Sequence, residues 1–418
     1  MTAQLAHVGL APAGDLLAAR RWASAEALVC AGVLASLGLG FYLPSHVPAA
    51  LLLVLATAPV WIRVLAGYRG GAALSIFVVA AVVAGVGLTL LATGHHAITR
   101  QALASDVSLV LFTFCSIGVV LWGADRLGER STGLMAGLGM VAGALVHGAS
   151  GDLNFWKGGL STPVVVLVLG LTAARAGWTV LALLALAVTS VLFDTRAQAV
   201  VLVLSALLVA WQRRPRSAGR RASVIGTGLV LAVLGLLAYR VGTQVLVSGY
   251  LGAEAQQRSV VQIDRAGSLL LGGRPEIAAT LALMRSHIQG YGFGVAPRTA
   301  DLIDAKQGLA RINYDPNNGY VERYMFGDGF ELHSVVGDVW VYAGPVGLLL
   351  VALVVLLLVR GLADRLPQRS ATGLILFLSL WTFWNLLFSP LLNAALPLAL
   401  AVGLTMSRKV TPEPPGIA

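Results

Sequence analysis

Three arginines and one histidine, each beside an apolar stretch, are the side chains best placed in this sequence to do chemistry. Arg196 stands in FDTRAQ at one end of an apolar run, Arg274 in GGRPE, Arg265 in IDRAGS, and His333 in ELHS, where a polar stretch meets another apolar run. A guanidinium group can grip two phosphate oxygens in a bidentate fork. At Arg274 the anion has further support. Pro275 suits the first position of a helix, whose unpaired N–H groups attract negative charge, and Gly272 and Gly273 permit close approach. Arg265 is a weaker candidate of the same kind. Histidine moves protons near neutral pH, so His333 is a candidate general base.

Each residue also has a plainer reading. Arg196 can snorkel to headgroups, Arg274 can be a solvated loop arginine, Arg265 can pair with Asp264, and His333 can be satisfied at an interface. Asp338, five residues after His333, is not on the same helix face, which disfavours it as the partner that orients the imidazole.

The best groupings of metal-ligating types are Asp301 with Asp304, and Asp328 with Glu331 and His333. Neither has a metal-ligand spacing, so solvated carboxylates and no metal are expected. His95 and His96 are expected as a solvated pair. No phosphate-binding loop, nucleotide fingerprint or serine elbow occurs, and no cofactor is expected. Cys30 and Cys115 lie in apolar runs, where a thiol behaves as a small hydrophobe rather than as part of a disulfide framework.

The elements that must hold these residues are apolar. With 57% hydrophobic and 11% charged residues and a mean hydropathy of +0.82, the chain is far from the soluble globular range and reads as an all-α polytopic membrane protein. Runs long enough to cross the hydrocarbon layer fall near 23–43, 47–66, 71–93, 106–124, 131–149, 160–175, 177–193, 197–211, 223–247, 334–359, 371–388 and 391–407, about twelve transmembrane helices in all. The pair within 160–193 is separated only by Ala173 to Gly177 and also reads as one broken segment. Residues 1–21 lack the pattern of a cleaved signal peptide, so the first run is expected to remain as an anchor.

Alternate connections carry Arg20 and Arg21, Arg63 and Arg69, Arg126 and Arg130, Arg175, the QRRPRSAGRR cluster (212–221), Arg360, Arg365 and Arg369, then Arg408 and Lys409. The opposite short connections carry only Arg100, Lys157 and Arg196. This asymmetry predicts both termini in the cytoplasm and the long loop outside. It also accounts for most of the +10 charge, which suits membrane lipids; no basic and aromatic surface argues for nucleic acid.

The chain thus divides into a bundle of about nine helices over 1–247, an extracytoplasmic cap over 248–332, and about three helices with a cytoplasmic tail over 333–418. The loop holds nine acidic and eight basic residues, a balance that suits a folded cap. Ile277, Leu281, Met284 and Ile288 predict an amphipathic helix near 275–289 that lies along the membrane interface. YGFGVAP and NYDPNNGY are turn-rich.

The order of TRAQ at a span end, GGR opening a helix in a large outer loop, GFG after it, then HS followed by AGPVG resembles the O-antigen ligase and polymerase family. Motif-level similarity covers roughly 190–350, and the hydropathy profile covers the whole chain. The resemblance implies an inverting, metal-independent glycosyltransferase of the bacterial cytoplasmic membrane. Its active site would face the periplasm. Its donor would be a polyprenyl-diphosphate-linked glycan and its acceptor a glycan or glycolipid. Arg196 and Arg274 would hold the diphosphate and His333 would activate the acceptor hydroxyl. Thr195, Ser334 and Tyr342 depart from the serine, asparagine and acid frequent in the family. A glycolipid transporter of a polysaccharide export pathway is the alternative from a different class, and a metal-dependent transferase using the loop carboxylates a third.

Overall fold

The computed structural model describes residues 13–148, 155–213, 223–250, 252–327 and 329–409, with side chains from residue 25 onward. The basic cluster beyond Arg213, Asp328, the side chains of Arg20 and Arg21, and both chain ends lie outside the described residues. The first part of the chain forms α1 (Ala13–Gly38), α2 (Ala50–Ala56), α3 (Ala58–Ala66), α4 (Gly71–Ala92), α5 (Arg100–His147), α6 (Ser161–Thr172), α7 (Ala176–Leu192), α8 (Arg196–Trp211) and α9 (Val224–Val247). The long polar stretch forms α10 (Ala253–Ala266), α11 (Leu269–Gly273), α12 (Glu276–Ser286) and α13 (Thr299–Ala310). The chain closes with α14 (Val335–Gln368), α15 (Gly373–Phe388) and α16 (Leu391–Thr405). Among the described residues the only sheet is the antiparallel pair β1 (Tyr42–Leu43) and β2 (Val47–Pro48).

The chain is therefore all-α, and four helices, α4, α5, α9 and α14, are each long and apolar enough to cross a membrane. Their outward faces carry exposed aliphatic side chains, such as Ile76, Val79, Val83 and Leu90 on α4 and Leu229, Val233 and Leu236 on α9. Water disfavours such stripes and lipid does not, so these are the helices of a membrane-embedded protein.

The expected run 47–66 divides at Thr57 into α2 and α3, and two further helices depart from the expected segmentation because of a glycine. The intervals 106–124 and 131–149 join in α5, which breaks at Gly128 (φ 81°, ψ 159°). Its arms fold back, since Thr132 lies against Gly123, whereas nine residues of straight helix would separate them by about 13 Å. In α14, Gly344 has φ 57° and ψ −141°, a conformation open essentially to glycine alone. The turn it makes brings Gly347 against the Val339 carbonyl, so residues 335–343 form a short helix folded back on the long one. By contrast α6 and α7 are separate helices, linked by a tight turn in which Thr179 Oγ1 donates to the Thr172 carbonyl at 2.8 Å.

The polar stretch is mostly helical. α12 packs on α13, with Gly308 against the Ala278 backbone and Ala279, Leu283, Ala305 and Leu309 buried. Leu281 and Ile288, from the expected apolar row, are 49% and 74% exposed on the surface of the cap. The cap is stapled to the bundle by YGFG. Phe293 is fully buried, stacked on Tyr342 at 5.6 Å. The Tyr291 and Gly292 N–H groups donate to the Val341 carbonyl at 2.9 Å, and that of Gly294 to Asp106 at 2.8 Å. Gly292 has φ 104° and touches the Thr89 backbone, so no side chain fits there.

Candidate functional site

His333 sits where the cap returns to the bundle. Ser334 caps α14 by accepting the Gly337 N–H at 2.9 Å, and His333, just before it, has φ 51°. A left-handed conformation is costly for a histidine and persists only when its surroundings impose it. The imposing group is Asp338, 2% exposed, whose Oδ1 accepts the Leu332 N–H at 2.8 Å and Oδ2 the Leu391 N–H at 2.7 Å. Asp338 thus clamps the residue before His333 to the first turn of α16. The imidazole is oriented by another acid: His333 Nδ1 lies 3.4 Å from Glu331 Oε1. The Glu331 hydrogen bond raises the His333 pKa above the ordinary value against the opposing effect of burial, and the charges of Glu331, Glu276 and Asp338 add to the rise.

Arg274 and Glu276 form the neighbouring group. Glu276, in the first turn of α12, is 1% exposed, and its carboxyl has two partners: Arg274 Nη1 at 3.4 Å from Oε1, and Tyr320, whose hydroxyl donates to Oε2 at 3.1 Å. Burial, and then the Glu276 charge, push the Tyr320 phenol far up, so it remains a donor. The Arg274 guanidinium lies over the Trp384 ring near the end of α15, 5.9 Å from its centroid. Only one edge of the guanidinium is engaged by Glu276.

Arg196 opens α8 in a cluster of its own. Asp194, with φ 56°, accepts from Arg196 Nε at 2.8 Å and Lys157 Nζ at 3.3 Å, and Arg258 of α10 approaches to 3.8 Å. Burial would raise the Asp194 pKa, but Arg196 and Lys157 together hold it below the usual value. Three cations on one carboxylate leave a net positive site.

No hydrogen bond or ion pair joins Arg196, Arg274 and His333 directly. They occupy one end of the bundle nonetheless. Gln212 is paired with the Ala371 backbone, its Nε2 donating at 2.9 Å and its Oε1 accepting at 3.2 Å, so α8 and α15 run antiparallel from that point. At about 1.5 Å per residue, Arg196 comes level with the end of α15 that carries Trp384. A cleft of about 580 Å³ runs along α10, and neither Arg196 nor Arg274 lines it. On one side it is lined by Arg258, which reaches Asp194; on the other by Gly272 and Tyr314, whose ring meets Tyr320 edge-on at 5.9 Å. Arg265 lies in the same cleft and forms no pair with Asp264.

Elsewhere the expectations for isolated polar residues change. His96 is not solvated: its Nε2 lies 3.2 Å from Asp301, which is fully buried and also accepts the Tyr291 hydroxyl at 3.1 Å and the Arg298 N–H at 2.8 Å. Burial, with the Arg298 charge, lowers the His96 pKa despite Asp301. This cluster fastens the connection after α4 to the cap. Among the described residues no three His, Cys, Asp or Glu side chains are grouped as a metal site.

Sequence reasoning missed Glu276, Tyr320, Trp384 and Arg258 as parts of the site, and it weighed Glu331 only as a metal ligand. Glu331 and Glu276 offered a local signal, standing two residues from His333 and from Arg274 respectively. The chain matches no protein-family model, no curated protein and no solved structure.

Proposed function

We propose that the protein is an inverting membrane glycosyltransferase of the O-antigen ligase or polymerase kind. It moves a glycan from a polyprenyl diphosphate to an acceptor hydroxyl at the outer face of the bacterial cytoplasmic membrane. The reading includes about twelve crossings with both termini in the cytoplasm, as the basic residues of alternate connections suggest. The observation that carries it is His333: a strained, clamped histidine with a carboxylate on Nδ1, at the same end of the bundle as two arginines that each keep donors unused.

In this reading the acceptor oxygen attacks the anomeric carbon while the bond to the diphosphate oxygen breaks. The bond's electron pair leaves on the diphosphate, and the hydroxyl proton passes to His333 Nε2. Glu331 holds the other nitrogen as the donor and stabilises the imidazolium that forms. Arg274 and Arg196 each give one guanidinium edge to a carboxylate and offer the other to the leaving diphosphate, where negative charge develops.

The test uses purified protein in nanodiscs with a synthetic lipid-linked donor. Transfer is expected in the wild type and lost in His333→Ala and Arg274→Ala. Full transfer by His333→Ala, or strict dependence on a divalent metal, would overturn the mechanism. Translocation of the donor without transfer would favour the transporter instead.

A further inference from the structure

The cleft under α10 is furnished with unused polar groups. Gln257, Gln262 and Arg265 line it, and none makes a side-chain hydrogen bond or ion pair with another described residue. Tyr314 adds a ring whose hydroxyl is likewise without a described partner. Arg258 and Arg265 outweigh Glu254, whose side chain is 92% exposed and pairs with Arg258 at 3.5 Å. The volume, about 580 Å³, is that of a small-molecule site.

These groups define a ligand. Amides both donate and accept, as the adjacent hydroxyls of a sugar ring require. An aromatic ring offers a surface for the apolar C–H face of a sugar. An uncompensated guanidinium selects a carboxylate or phosphate. We infer that this cleft is a glycan subsite that selects a sugar carrying an anionic group, with Arg265 as the specificity-determining residue. It deepens the transferase reading and rests on it: Gly272 lines the cleft and Arg274 follows two residues later, so the bound glycan lies next to the proposed diphosphate site. Arg265 then reads the glycan rather than the diphosphate.

Binding and transfer are measured separately on the full chain in nanodiscs. The binding probes are a soluble oligosaccharide with a terminal uronate, its phosphorylated counterpart and its neutral counterpart. An exposed charge-assisted contact predicts roughly tenfold tighter binding of an acidic probe than of the neutral one. The two acidic probes distinguish carboxylate from phosphate. Arg265→Gln is expected to abolish the preference and leave neutral binding unchanged, whereas Gln262→Ala weakens all three probes and keeps the preference. Equal binding of all probes, or a preference that survives Arg265→Gln, overturns the inference. So does an Arg265→Gln that lowers transfer equally from acidic and neutral lipid-linked donors, since Arg265 would then hold the diphosphate. A preference that depends on Arg265, in a protein that transfers from no donor, upholds the subsite and removes the transferase reading alone.

Discussion

Asp338 offers the sharpest test of how the site is held. Both carboxylate oxygens accept a backbone N–H, Leu332 at 2.8 Å and Leu391 at 2.7 Å, in a position sealed from solvent. Asp338→Ala removes both acceptors and leaves two buried N–H groups unpaired, at about 1–3 kcal/mol each, so roughly 2–6 kcal/mol in total. Asp338→Asn keeps one acceptor oxygen and turns an NH2 group towards the other N–H, so it should lose about half as much, roughly 1–3 kcal/mol. Reversible unfolding by SDS in mixed micelles, followed by tryptophan fluorescence, measures both. Because Leu332 adjoins His333, both variants should also lose transfer activity, Ala more than Asn. Stability near wild type in Asp338→Ala, or an Asn variant as damaged as the Ala variant, would refute the two-bond clamp.

Glu331 raises the His333 pKa, so Glu331→Gln should lower it. The free-base form would then persist to lower pH, and the acidic limb of the transfer profile should shift downward; an unmoved limb separates Glu331 from the histidine. His96 shifts the other way. Its folded pKa lies below 6.5, so on acidification from pH 6.5 the unfolded state binds more protons and stability falls, by at most about 1.4 kcal/mol per pH unit from this group. Cap proteolysis should therefore quicken as pH drops below 6.5, and His96→Gln should flatten that dependence.

The helices were legible because their cause is local. Length and apolarity in a contiguous run suffice to mark an apolar helix, and α4, α8, α9, α15 and α16 fall close to the intervals that this criterion picks out. Pro275 likewise marks the start of α12 from its own stereochemistry. What was not legible depends on meetings across the chain. Nothing near His96 announces Asp301, 205 residues away, and nothing in DVW shows that Asp338 will accept an N–H from α16. The packing of α12 on α13 was not legible for a related reason: small residues, Ala279 and Gly308, let the two helices approach closely, and that approach buries Leu283. The glycines of YGFG looked like turn formers and prove to be contact points, because backbone from α4 at Gly292 and from α5 at Gly294 occupies the space of a side chain.

The cap's attachments are unequal, and their physics says which edge yields first. Near His333 it is held by the buried Asp338 clamp, by the YGFG staple and by Asp301, each made of sealed hydrogen bonds that cost about 1–3 kcal/mol apiece to leave unmade. At the Arg196 edge, α10 reaches the turn before α8 through Arg258 and Asp194, a pair 3.8 Å apart with side chains 51% and 39% exposed. Such a pair contributes about 0–1 kcal/mol and weakens with salt. The cap is therefore fixed over His333 and more loosely held over Arg196, where the other side-chain bond from α10 to the bundle is that of Gln256 Nε2, which donates to the Val247 carbonyl of α9 at 2.8 Å. Breaking the Arg258 pair would leave Asp194 on Arg196 and Lys157 and remove the only described ion pair between α10 and the turn before α8.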